Sequence, residues 1–113
     1  MRSAIAMSES KYTIDAYVVD ALMRDRVGHD HRASAFLVYL VLTAAAGNGA
    51  VRLSHAQLAE RTGLSKRGAQ EAVLHLADRK LLRVTRQGVT DVPRYEPLTP
   101  WRRHDSAAAQ PSV

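Results

Sequence analysis

Between residues 54 and 79 apolar residues recur at three- and four-residue spacing. From 81 to 86 they alternate with polar ones, so this part of the chain predicts two helices followed by a strand. Ser54 with Gln57 three residues on is a capping-box pattern, and Ala56, Leu58 and Ala59 are the first inward positions of the helix it opens. That helix is expected to be short, because Gly63 after Thr62 ends a helix cheaply and lets the chain turn. Ser65 opens a second helix over 65–79. At 100° per residue, Ala69, Ala72, Val73 and Leu76 fall on one apolar stripe, while Arg67, Gln70, Glu71 and Leu74 point away from it, with His75 at the edge. Small residues at 59, 63 and 69 permit two short helices to cross closely. The spacing thus predicts a helix-turn-helix over HAQLAERTGLSKRGAQEAVL, and two packed surface helices of an all-α domain give the same pattern.

Upstream the pattern is less regular. Ile14, Val18, Leu22 and Met23 follow helical spacing over 12–27, with Asp15 and Asp20 near the start and Gly28 as a stop. Asp30 is placed to cap a following helix over 31–46, whose middle is apolar on nearly every side. Such a helix belongs in a core, or in a dimer interface through Phe36, Tyr39 or Leu40 if so small a domain cannot bury it. Gly47-Asn48-Gly49 ends it, and 50–53 alternates as a short strand. In the strand over 81–86, Leu82 and Val84 share one face and Arg83 and Thr85 the other. Gly88 and Asp91 suit a turn, and 94–98 returns antiparallel, limited to a short edge strand by Pro93 and Pro97. Residues 1–11 and 104–113 read as mobile tails around one domain over 12–103, with Trp101 folding back on it.

Composition narrows the function. Of the 113 residues 46% are apolar but only 5% aromatic, so the core is built from Leu, Val and Ala. The absence of cysteine removes disulfides, thiol catalysis and Cys-based zinc sites and fits a cytoplasmic protein. The N-terminal run SAIAM is too short for a signal peptide, and the longest apolar run, 35–42, is far below spanning length, so no membrane partner is expected. Net charge is +5 and unevenly placed. From 51 to 103 eleven Arg or Lys face five acids, while the remainder holds five bases and six acids. The positive excess lies entirely in the half that holds the two short helices, the footprint expected for a polyanion partner. His29 and His31 are a two-residue pair without further ligands, so no metal is expected. No phosphate loop, nucleophile elbow or HExxH is present, which points to a binding protein without cofactor rather than an enzyme.

The segment LSHAQLAERTGLSKRGAQEAVLHLADRKLLRV resembles the winged helix-turn-helix domains of bacterial transcription regulators and of some plasmid replication initiators. Two positions depart from that pattern: Lys80 stands where Gly is usual before the first wing strand, and Ala69 where a larger aliphatic is common. The resemblance implies a mainly α fold with a small β-hairpin, in the order α-α-β-α-turn-α-β-β. It also implies a recognition helix over 65–79 in the major groove and a wing over 81–98 on the backbone. Lys66, Arg67, Gln70, Glu71 and Leu74 are then the candidate base contacts, with Ser54, His55, Ser65, Lys66, Arg86 and Arg94 on phosphates. The expected function is sequence-specific binding of double-stranded DNA by a nucleoid-associated transcription regulator. It acts as a homodimer, because one small module buries too little surface for tight specific binding. A winged-helix module that binds protein through exposed Leu74, and a plasmid or phage replication initiator, are the alternatives.

Overall fold

The computed structural model describes residues 11–88 and 90–102, so the tails expected at 1–11 and 104–113 lie almost wholly outside the described residues. The fold is mainly helical with one small antiparallel sheet. A first helix, α1 (residues 16–29), is followed by α2 (Ala33–Ala46), strand β1 (Val51–Arg52), helices α3 (His55–Thr62) and α4 (Lys66–Asp78), strands β2 (Leu82–Thr85) and β3 (Arg94–Pro97), and a single 3₁₀ turn (Pro100–Arg102). Among the described residues no helix is long and apolar enough to cross a membrane.

The middle of the chain follows its local signals. Ser54 closes both halves of the capping box: the Gln57 N–H donates to Ser54 Oγ at 3.1 Å, and the Ser54 N–H donates to Gln57 Oε1 at 2.8 Å. Gly63 ends α3 at φ 83°, where a Cβ would be strained, and Ser65 Oγ accepts from the Gly68 N–H at 2.9 Å to start α4. The stripe Ala69, Ala72, Val73 and Leu76 is buried as expected. After Asp78 the helix closes in a Schellman arrangement. The Leu81 N–H donates to Leu76 O at 2.9 Å and the Lys80 N–H to Ala77 O at 3.1 Å, which forces Lys80 to a φ of 62°. Lys80 therefore occupies a left-handed position that glycine would fill without strain.

Helix α2 is the hub. Helices α1, α3 and α4 and strand β3 all pack on it, and Ala35, Phe36, Val38, Tyr39 and Leu42 are buried. The surface role expected for Phe36 and Tyr39 is therefore corrected. Four elements enclose this helix within one chain, and Tyr39, with no exposed surface, spends its hydroxyl on Leu98 O at 2.8 Å. Burial pushes the Tyr39 phenol up to about 12. Leu40 is half-buried against the same core.

The N-terminal helix departs most from expectation. Over Val18–Leu22 and Arg24–His29 it is wound as a π-helix with i→i+5 hydrogen bonds, such as Met23 N–H to Val18 O and Asp30 N–H to Asp25 O. Val18 and Leu22 are buried as predicted, but Met23 is exposed, and the third residue of the buried row is Arg26. Asp30 does not cap α2. Its carboxylate is nine-tenths buried and accepts from His29 Nδ1 and, 45 residues along the chain, from His75 Nε2, each at 3.0 Å. Arg26 Nε lies 3.0 Å from Asp30 Oδ2, at an angle that falls short of a hydrogen bond, and Arg79 Nε lies at 3.6 Å. Burial raises the Asp30 carboxyl, but the two histidine hydrogen bonds and the two arginine charges together outweigh it and hold it below 3.8.

The sheet order is β1-β3-β2, so the strand expected at an edge is central. Pro93 and Pro97 set its length rather than its place: Pro97 closes the ladder opposite Leu82, and Arg94 to Glu96 carry the pairing. The register places Val51, Tyr95, Val84, Leu82 and Pro97 on one face and Arg52, Arg94, Thr85, Arg83 and Glu96 on the other. Tyr95 and Leu82 reach the core. Val84 does not, being left exposed beyond the edge of α4. Trp101 folds back as expected: its ring stacks on Tyr17 at 4.8 Å and its Nε1–H donates to Asp15 Oδ2 at 2.7 Å.

Candidate nucleic-acid interface

Helix α4 presents one face to the core and the opposite one to solvent. Arg67, Gln70, Glu71 and Leu74 are all exposed on the outer face, and Lys66 stands beside them at its first turn. Leu74, at 69% exposure, has the least reason of its own to be there. Arg67 Nε approaches Glu71 Oε2 at 3.3 Å, a solvent-exposed pair one turn apart that contributes little to stability and releases the guanidinium cheaply. Arg and Gln are side chains whose paired polar atoms match guanine and adenine edges in the major groove, and here they stand one turn apart on a rigid element.

A second group of residues meets at the start of α3. Ser54, His55, Lys66, Gln70 and Arg86 line a depression of about 320 Å³, closed on the far side by Thr90, Asp91, Val92 and Pro93 from the hairpin. Three separate elements meet there: α4 gives the Lys66 cation, the end of β2 gives the Arg86 cation, and α3 gives the His55 imidazole. Burial, then the charges of Arg86 and Lys66, lower the His55 imidazole below 6.5. The crowding of positive charge is what an anion would relieve, and the N-terminal dipole of α3 adds to it. Ser54 keeps its hydroxyl hydrogen for an acceptor, since its oxygen is already occupied by the Gln57 N–H. Ser65 is engaged in the same way by Gly68.

Between these two groups runs an apolar groove of about 520 Å³, with Val73, Leu74 and Ala77 of α4 on one wall and Val84 and Tyr95 of the sheet on the other. Sequence reading missed this groove. Leu74 is visible in the sequence as an outward apolar residue, but Val84 is visible only as sharing a face with Leu82, because strand alternation alone cannot say where the core ends. Burial raises the Tyr95 phenol, and among the described residues its hydroxyl has no hydrogen-bond partner.

One candidate residue is not brought in. Arg94 shares a sheet face with Arg52, opposite it in the register, and that is the face turned away from Tyr95 and the groove. It stands with Arg52, whose Nη1 donates to Val92 O at 3.0 Å, on the outer side of the hairpin. The outward position of Arg52 in the V-R-L alternation was the signal that could have found it. Among the described residues no group of three or more His, Cys, Asp or Glu is placed to hold a metal ion. Comparison of the chain with protein-family models, with curated proteins and with solved structures finds no match.

Proposed function

We propose that this protein is a sequence-specific double-stranded DNA-binding protein, a transcription regulator whose domain is a winged helix-turn-helix and which acts as a homodimer. One observation carries the reading: the exposed face of α4, with Arg67 and Gln70, lies beside a cationic depression to which α3, α4 and the hairpin each contribute a base. A helix inserted in the major groove reads base edges with Arg67 and Gln70. The depression formed by Ser54, His55, Lys66 and Arg86 then takes the flanking phosphate. Arg94 and Arg52 approach the backbone only from the outer side of the hairpin.

Selection of bound sites from random duplex DNA tests this directly, and a two-fold palindrome is the expected product. On that site Arg67→Ala or Gln70→Ala costs about 1 to 3 kcal/mol and relaxes preference at one base pair. Arg86→Ala weakens all sequences alike and lowers the salt slope by about 1. Failure to enrich any sequence, with no binding of duplex at low salt, overturns the reading. The apolar groove favours a second one, in which α4 and the sheet hold an apolar segment of a protein partner. Binding insensitive to salt and abolished by Leu74→Asp would select it.

A further inference from the structure

We infer that the outer face of α1 is a self-association surface, and that its occupant is α1 of a second copy of this chain, running antiparallel about a two-fold axis close to Met23. The inference deepens the homodimer in the proposed function by assigning its surface. Rows at i, i+4 and i+8 stay in line here because turns closed by i→i+5 hydrogen bonds are wider than α turns. Val18, Leu22 and Arg26 form the buried row. The next row over, Val19, Met23 and Val27, is 53%, 36% and 41% exposed. With Asp20, Arg24 and Gly28 these residues border an open depression of about 580 Å³, and at Gly28 even an added Cβ would meet no atom within 4 Å.

Charge decides the occupant. Asp20 and Arg24 flank the apolar row one turn apart, and among the described residues the Asp20 carboxylate has no ion-pair partner. Among the described residues Arg24 donates to the backbone oxygen of Asp20, at 2.6 Å, and has no ion-pair partner. In an antiparallel pair centred near Met23, Val19 meets Val27 of the second copy, and Asp20 comes alongside its Arg24, twice by symmetry. A parallel pair, with its two-fold along the helices, would carry Asp20 and Arg24 of the second copy to the opposite flank of the seam, where neither meets its opposite charge. The N-terminal half carries almost no net charge, so two copies meet there without the repulsion that the basic half would bring, and both α4 faces remain available. A pair of single helices lies at the low end of interface area, so association in the micromolar range is expected.

Sedimentation equilibrium of the full chain without DNA tests the assignment. The wild type is expected to be a dimer at tens of micromolar. Val27→Glu sets a charge in the apolar row and should weaken the dimer by about tenfold or more while leaving the circular dichroism unchanged, because the site is exposed in the monomer. Asp20→Arg alone and Arg24→Asp alone should each weaken it, and the double exchange should restore it. A wild type that stays monomeric overturns the inference, as does a folded Val27→Glu protein that still dimerises at wild-type affinity. Exchange without restoration overturns the antiparallel pairing. Failure of the DNA reading would look different: the dimer would persist and no duplex would bind.

Discussion

Helix α1 and the α3–α4 pair are packed on the same hub, yet they are held in opposite ways. The pair is specified by residues two to five positions apart: the Ser54–Gln57 box, the left-handed Gly63, the Ser65 cap and the Schellman closure at Leu81. The N-terminal helix has no comparable caps and is fastened by polar contacts from distant parts of the chain. At its start Asp15 accepts from Trp101 Nε1 and, bidentately, from Arg102 Nε and Nη2. At its end Asp30 gathers Arg26, His29, His75 and Arg79. A helix tied at both ends by tertiary bonds can accept the unfavourable winding that α1 shows, whereas a helix closed by its own caps keeps α geometry. The difference also places function: the locally encoded pair carries the candidate reading face, and the tertiary ties fix its angle to the rest of the domain through His75 on α4.

The largest effect that can break this contrast is at Asp30. Asp30→Ala leaves Arg26, which is 4% exposed, as a buried charge without its carboxylate, and should cost about 3 to 5 kcal/mol in denaturant titration. Replacing both Arg26 and Asp30 by apolar residues of similar size should recover most of that loss. A cost for Asp30→Ala below about 1 kcal/mol would mean that the cluster is wet and that the N-terminal helix is not held by it.

Asp15 gives the next largest effect and a pH signature. Hydrogen bonds from Arg102 and from Trp101 lower its carboxyl to about 2 from 3.8. The folded value is the lower one, so the stabilisation is fully present above 3.8 and is lost as the pH falls toward about 2. Asp15→Asn should cost about 1 to 2 kcal/mol at neutral pH and flatten the acid limb of the stability curve between those values. An acid limb unchanged in Asp15→Asn would assign it to other carboxylates.

What could be read from the sequence divides along the same line. The start and stop of α3, the start of α4, its buried stripe and its outward face were all legible, because each depends on side chains within one or two turns. The short strand before Ser54 and the return of Trp101 were legible from alternation and from an aromatic directly after Pro100. What could not be read depended on residues far apart. Asp30 looked like a cap because its partner His75 is 45 positions away. Arg94 looked like a phosphate contact beside Arg86, but the register with β1 turns it to the other face, and β1 and β3 are about 40 residues apart. Phe36 and Tyr39 looked too apolar for a small domain to bury, which overlooked that one helix can be enclosed by four neighbours. The rows of α1 were misread by one residue at Met23, since α periodicity was applied to π turns.

The caps of the motif sharpen the contrast from the other side. Ser65→Ala removes the acceptor for the Gly68 N–H and should cost about 0.5 to 2 kcal/mol, with no effect on the acid limb that Asp15 controls. Because the lesion is local, it should add to Asp15→Asn within roughly 0.5 kcal/mol. Marked non-additivity would show that the two regions are coupled more tightly than their bonding suggests.

The smallest effect, and the only one expected to stabilise, is at Lys80. Its left-handed φ of 62° is demanded by the Schellman closure, in which its own N–H and that of Leu81 reach back to Ala77 and Leu76. A side chain in that region costs about 1 to 2 kcal/mol, while glycine there gives back about 0.5 to 1 kcal/mol in greater unfolded-chain freedom. Lys80→Gly should therefore raise stability by somewhat less than about 1 kcal/mol, with the midpoint of denaturation moving and its slope unchanged. Lys80→Ala keeps the strain and removes the charge, so it should leave stability near that of the wild type. If Lys80→Gly were instead destabilising, the lysine stem would be packing on the helix end. If both variants lost affinity for duplex DNA equally, with a smaller salt slope, the strained lysine would be held there for its charge, one turn beyond the face that carries Leu74.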